Sequence, residues 1–186
     1  MKIPFDISYH FDENLHDIPN SPVQMQQAID FLQSKFDNSY HDVRQQIFLA
    51  GLIGGYARML HNFSTAEQTF ATALKLCDLL EDERLKTANL IRLAHLHQWQ
   101  HQYDLSESLL ERVIVKCSSS PQLELYLDFA YQHLGKCKFD RAEYEAAQNY
   151  FNKAIKLRLQ KGDRQLIYST QLALDVVKRR VDKSLN

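Results

Sequence analysis

Glycine and proline are scarce, with five and four residues in a chain of 186. That is about half their usual combined share. The scarcity excludes collagen-like, Gly-rich-linker and turn-dense all-β architectures. No run of about 18 apolar residues occurs, so no segment reads as a membrane span. The longest apolar stretch, Ile47–Tyr56, contains glycine and suits a buried helix. The opening MKIPFDISYHFDE has no apolar core of signal-peptide length. Cysteines number three (Cys77, Cys117 and Cys137), an odd count without CxxC spacing. They read as reduced thiols, and a cytoplasmic location is expected. An excess of one charge is lacking too. The net charge is −1, so the chain as a whole is not built for a polyanion, and no nucleic-acid partner is expected.

The charge is uneven along the chain. Residues 1–135 hold 10 Lys/Arg against 17 Asp/Glu, whereas residues 136–186 hold 12 against 6. Two readings stand side by side. Long helices solvate themselves with Lys and Arg, or the basic third docks an acidic partner or the acidic end of a second copy.

Helical period dominates what is there. Leu79–Leu80, Leu85, Leu90–Ile91, Leu93–Ala94 and Leu96 keep three- and four-residue spacings rather than alternation. Ser21-Pro22-Val23-Gln24 offers an N-cap, a first-turn proline and a capping-box glutamine. Ser64-Thr65-Ala66-Glu67 and Asp104-Leu105-Ser106-Glu107 read as further starts, as does Ser120-Pro121. Gly162-Asp163 reads as a left-handed stop followed by a new cap. Helices are predicted over 22–36, 40–61, 65–80, 83–101, 105–117, 121–138, 143–161 and 164–182. Loops this short set neighbouring helices antiparallel.

The chain repeats itself. Ile53-Gly54 matches Leu93-Ala94 and Leu134-Gly135, and Phe63 matches Tyr103 and Tyr144. Ala66, Phe70 and Ala73 match Ser106, Leu110 and Val113, then Ala147, Phe151 and Ala154. The period is 40 residues, then 41. Small residues at the first position let the second helix approach, and Phe70, Leu110 and Phe151 fill the wedge. Stacking, not any pair alone, buries the apolar stripes.

These residues resemble the tetratricopeptide repeat (TPR) signature, Leu-Gly on a first helix and Ala-x3-Phe-x2-Ala on a second. Leu134–Ala154 is closest, Ile53–Ala73 is good and the unit between them is degenerate. The usual 34-residue period is exceeded here. The resemblance implies an all-α, right-handed superhelical solenoid of about eight antiparallel helices. Its parts would be a half-unit over 21–39, units over 40–82, 83–120 and 121–162, and a capping helix over 164–182, within a domain of 21–186. Residues 1–20 do not fit the repeat. Phe5, Ile7, Tyr9 and Phe11 alternate with polar residues there. An extended arm across the array and an exposed, disordered tail both remain open.

Reactive constellations are sparse. His97 and His101 sit four apart, as a pair of metal ligands would, with His61 and His95 as further candidates. The zinc-protease pattern needs Glu after the first His, and Gln98 stands there. Histidines packed between helices or at a helix C-terminus are the competing reading. The cysteines lack a His-rich, electropositive setting. No phosphate-binding glycine loop or nucleophile elbow occurs. No metal, cofactor or catalytic activity is therefore expected.

In the TPR family the first helices line a concave groove that takes an extended or helical peptide. Counting from Gly54, Ala94 and Gly135 as the helix contact, the groove face comprises Arg58 and Met59, with Gly51 and Gly55. The second unit supplies Ile91, His95, Gln98 and Trp99, with Arg92 at the edge. The third supplies Gln132, Lys136 and Phe139, with Asp140, and His133 at the edge. Trp99 is the single tryptophan and a natural anchor. Arg58, Arg92 and Lys136 suit a peptide carboxylate. The family's Lys/Asn carboxylate clamp is not reproduced, because Gly55, His95 and Lys136 occupy the usual Asn place. The resulting expectation is a non-catalytic scaffold or adaptor binding a protein segment. A bacterial-type TPR regulator that senses a short peptide and acts through a partner, and a self-associating dimer, are the alternatives. All of them but the dimer need a hollow that the chain's own side chains leave open.

Overall fold

A computed structural model describes the backbone of residues 1–184 and the side chains to Asp182. The last two residues of the expected 21–186 domain lie outside the described residues. Eight α-helices are present among those described: α1 (Pro22–Asp37), α2 (Val43–Met59), α3 (Phe63–Leu79), α4 (Glu83–Trp99), α5 (Tyr103–Ser118), α6 (Leu127–Asp140), α7 (Tyr144–Lys161) and α8 (Arg164–Ser184). The fold is all-α, consistent with a helical repeat, with one small hairpin ahead of it. None of these helices is long and apolar enough to cross a membrane.

Each helix packs mainly on the next in sequence, and α2 also meets α4 while α4 meets α6. The repeat supplies the reason. A Cβ on Gly54 would stand 2.5 Å from the Phe70 ring, and one on Gly135 would stand 2.7 Å from the Phe151 ring. The aligned residues Ala66, Phe70, Ala73, Ser106, Leu110, Val113, Ala147, Phe151 and Ala154 are all buried. Three apolar clusters follow one another along the stack, one around Phe70, one around Leu110 and one around Phe151.

The turns repeat as closely as the helices. His61, Glu81, His101 and Ala142 have positive φ, at 58°, 53°, 59° and 59°. After α2, the amide of Asn62 donates to the carbonyl of Ala57, and that of His61 to Arg58. Asp82, Gln102 and Glu143 make the equivalent long bond after α3, α4 and α6. This is the Schellman stop, made here without glycine. The residue that closes one helix also begins the next, and Asn62 and Asp82 accept from their own first-turn amides.

Four predicted starts are displaced; α2, expected from 40, begins at Val43 behind its N-cap Asp42. Asn62, not Ser64, caps α3, and α5 begins at Tyr103 with no side-chain cap bond, so Ser106 falls on the buried face. The Schellman bond already fixes each start two to three residues earlier. Ser120-Pro121 opens a turn and a short 3-10 segment, Glu124–Tyr126, before α6. The buried Leu123 is drawn into the cluster around Leu110 at that point, so the helix begins later than predicted. Ser21 caps α1 and Gly162 stops α7 at φ 74°, as read from sequence.

Residues 1–20 form the hairpin. β1 (Tyr9–Phe11) pairs antiparallel with β2 (Asp17–Pro19), with Phe11 opposite Asp17. Asp12 organises its turn, accepting from the amides of Asn14 and His16 at 2.8 Å each. Leu15 takes φ 64° and is buried beside Phe139, Val176 and Val177.

Candidate functional site

The hairpin lies against the face formed by α2, α4 and α6. At the centre is Asp17, 5% exposed. Arg58 Nη2 donates to its Oδ2 at 2.6 Å, and Lys136 Nζ donates to its Oδ1 at 3.2 Å. Arg58 and Lys136 are each 4% exposed. Burial alone would raise the Asp17 carboxyl, but the two cations hold it far below the ordinary carboxylate range. Burial in turn pulls Lys136 down, opposed by Asp17.

Aromatic rings frame this triad. The Arg58 guanidinium lies 4.5 Å from the Trp99 ring centroid, and Lys136 Nζ lies 4.6 Å from that of Phe11. His16 packs on the other side of Trp99 at 4.8 Å, and His61 approaches it at 5.2 Å. Trp99 Nε1 donates to His95 Nε2 at 3.2 Å, and His95 stacks on His133 at 4.1 Å. Burial first, then the nearby Arg58 and Lys136 charges, push both of these histidines well below the usual imidazole range. Gln98 donates to Asp140 at 2.8 Å, and Asp140 stands 3.6 Å from His16 Nε2.

The residues predicted to share a face divide into two groups. Arg58, His95, Gln98, Trp99, His133, Lys136 and Phe139 come together at the hairpin. Met59 is buried on α2. Ile91 belongs to the core cluster shared with α5 and α6. Gln132 is turned away, accepting from Arg158 Nη1 at 3.1 Å. Arg92 donates to Asn89 Oδ1 on its own helix at 3.1 Å, and its guanidinium lies where a Cβ on Gly51 would fall. The hollow is not open. The chain's own arm fills it, as a hairpin. Sequence reasoning missed Asp17, Leu15 and His16 as occupants. The only signal for them was the alternating aromatic pattern and the excess of acid over base in residues 1–20.

The other candidates for chemistry have found structural partners. His97 Nδ1 meets Gln102 Oε1 at 2.8 Å, and His101 Nδ1 meets Tyr103 Oη at 2.7 Å. α4 stops at Trp99 and His101 is left-handed, so the two imidazoles do not share a helix face. Among the described residues no group of three or more His, Cys, Asp or Glu is placed to hold a metal ion. All three cysteines are free and buried. Cys137 is wholly buried, and burial with the Glu107 charge beside it pushes its thiol up to about 12.

Part of the basic C-terminal third is matched within the chain. Lys138 pairs with Glu107 at 2.7 Å, Arg141 with Asp104 at 2.6 Å, and Arg158 with Asp128 at 3.0 Å. Lys161 also bonds Asp128. No known family model matches the chain, and no curated protein sequence is detectably similar to it.

Proposed function

We propose that the protein is a non-catalytic interaction module that holds a polypeptide segment against the α2–α4–α6 face, in the manner of a TPR scaffold or adaptor. One observation carries this reading. The chain's own arm occupies the hollow that a binding partner would need open, so the reading requires that arm to give way; the arm sits there with a leucine buried, a carboxylate shared by two buried cations and the His16 ring 4.8 Å from Trp99. The face therefore has the chemistry of a peptide seat: charge for a carboxylate, an indole for stacking and an apolar recess. The repeat of Gly54, Ala94 and Gly135 against Phe70, Leu110 and Phe151 supports the TPR likeness.

A photo-crosslinking residue at position 55 tests the proposal, because a Cβ on Gly55 would meet nothing within 4 Å. Leu79 is 71% exposed and serves as the control position. In cells of the native host, position 55 should capture specific proteins that position 79 does not. Equal capture at both positions, or none at 55, would remove the assignment of this face.

A further inference from the structure

The hairpin is an imperfect tenant of its seat. Three buried polar atoms along the seam have no hydrogen-bond partner, Arg58 Nη1, Gln98 Oε1 and His133 Nδ1, and His16 Nε2 has only the Asp140 carboxylate at 3.6 Å. Native interiors leave few such atoms, and each costs desolvation that no bond returns. Leu15 reaches its recess only by adopting φ 64°, which a non-glycine residue avoids. Outside Leu15 and Asp17 no residue of the arm is fully buried. A cleft of about 1010 Å³ runs between residues 5–11 and the start of α8, bordered by Leu166, Tyr168 and Leu172. The arm's first strand therefore borders open space on that side, and no helix has to move for that strand to lift. The seated state is selective for an acid, because Arg58 and Lys136 are buried beneath the arm and answer to one carboxylate there.

We infer that residues 1–20 are a displaceable occupant, and that the seat selects a segment of another protein that brings a carboxylate to Arg58 and Lys136 beside an apolar residue and an aromatic ring. The inference rests on the peptide-binding reading above and narrows it to one partner chemistry. Charge sets the selection, since both cations meet the carboxylate out of water, where a neutral amide would leave them uncompensated. The apolar recess beside Phe139 sets the leucine-like position, and the Lys136–Phe11 contact sets the ring. The tether keeps the arm at an effective concentration of the order of millimolar, so only a segment that satisfies the seat better displaces it.

The test uses the full-length chain and three readouts. The first is amide exchange of the unaltered protein. The arm's bonded amides, Asp12, Leu15 and Asn20, should exchange by a local opening well before the helices do. Arm amides that exchange only with global unfolding would overturn the inference, because the arm would then be core. The second readout is binding of a synthetic peptide of residues 5–20, followed by Trp99 fluorescence. The D17N chain should bind it roughly tenfold or more tightly than the unaltered chain, whose own arm competes. The third is the same peptide carrying Asp17→Asn, which should bind the D17N chain at least about tenfold more weakly. Equal binding of both peptides would sink the carboxylate selection while leaving a peptide-binding face. Binding of neither, with the arm seen to open, would sink both readings. Light scattering completes the set. A concentration-dependent dimer that dissolves when the peptide is added would make the occupant a second copy's arm and overturn the choice of a foreign partner.

Discussion

At the scale of single residues, adjacent glycines on one helix have opposite tasks. Gly54 gives way to the ring of Phe70, and a methyl group there would need the ring or the helix to move. Gly54→Ala should cost about 1–3 kcal/mol, the usual penalty for overpacking. Gly55 faces open space, so Gly55→Ala should gain about 0.5–1 kcal/mol through helix propensity alone. Urea denaturation of the two variants checks the pair, and two shifts of the same sign would refute the assignment of Gly54 as the helix contact. The distinction was available in the sequence, since only position 54 recurs as Gly or Ala at 94 and 135. A repeat exposes packing because each unit solves the same local problem. The arm's docking was not available in that way. Asp17 meets partners 41 and 119 residues along the chain, and no period connects them. A carboxylate in an acidic N-terminal stretch looks the same whether solvated or buried until the fold brings the two cations together.

At the scale of elements, the turns explain why the predicted helices were right in kind and displaced at their starts. Capping patterns assume that a side chain begins the helix. Here the backbone sets the place, because the residue closing one Schellman stop is the N-cap of the next helix. The cost is a left-handed non-glycine residue at four turns. Ala142 is exposed, and its side chain makes no compensating bond. Ala142→Gly should therefore stabilise the protein by about 0.5–1 kcal/mol, raising Tm by about 1–3 °C by calorimetry. A lower Tm would show that the turn tolerates the positive φ without strain. The last helix is fastened differently. Arg158 on α7 bonds Asp128 on α6, the Leu166 carbonyl at 3.1 Å and Thr170 Oγ1 at 2.6 Å on α8, all away from water. Arg158→Met should cost about 3–5 kcal/mol, since Asp128 keeps only Lys161. In hydrogen exchange the α8 amides should lose protection before those of α2–α4. Uniform loss along the chain would mean that α8 is held by its apolar stripe instead.

At the scale of the whole molecule, the arm and the helical face together bury an unusual set of ionisable groups, and pH reads them out. His95 and His133 are neutral in the folded chain, crowded by Arg58 and Lys136, with Trp99 and His16 packed on the same side and Arg158 acting on His133 from α7. Unfolded, they regain the ordinary imidazole pKa of about 6.5. Below that pH the unfolded chain binds protons that the folded chain refuses, so stability falls as pH falls, by up to about 1.4 kcal/mol per pH unit for each histidine. Asp17 acts in the same direction at lower pH. Its folded pKa is depressed, so its contribution is complete above about 4 and is lost as the solution becomes more acid. Unfolding free energy measured in urea should thus be level near pH 7.5, drop by about 2–4 kcal/mol by pH 5, and drop further below pH 4. The first drop belongs to the histidines beneath the arm and the second to the ion triad that seats it. The two are separable, because D17N should erase the part below pH 4 while retaining the slope between 6.5 and 5. Stability that stays level from pH 7.5 to 5, or folded-state imidazole NMR signals from His95 and His133 that titrate near 6.5, would show that the arm does not seal these histidines from water.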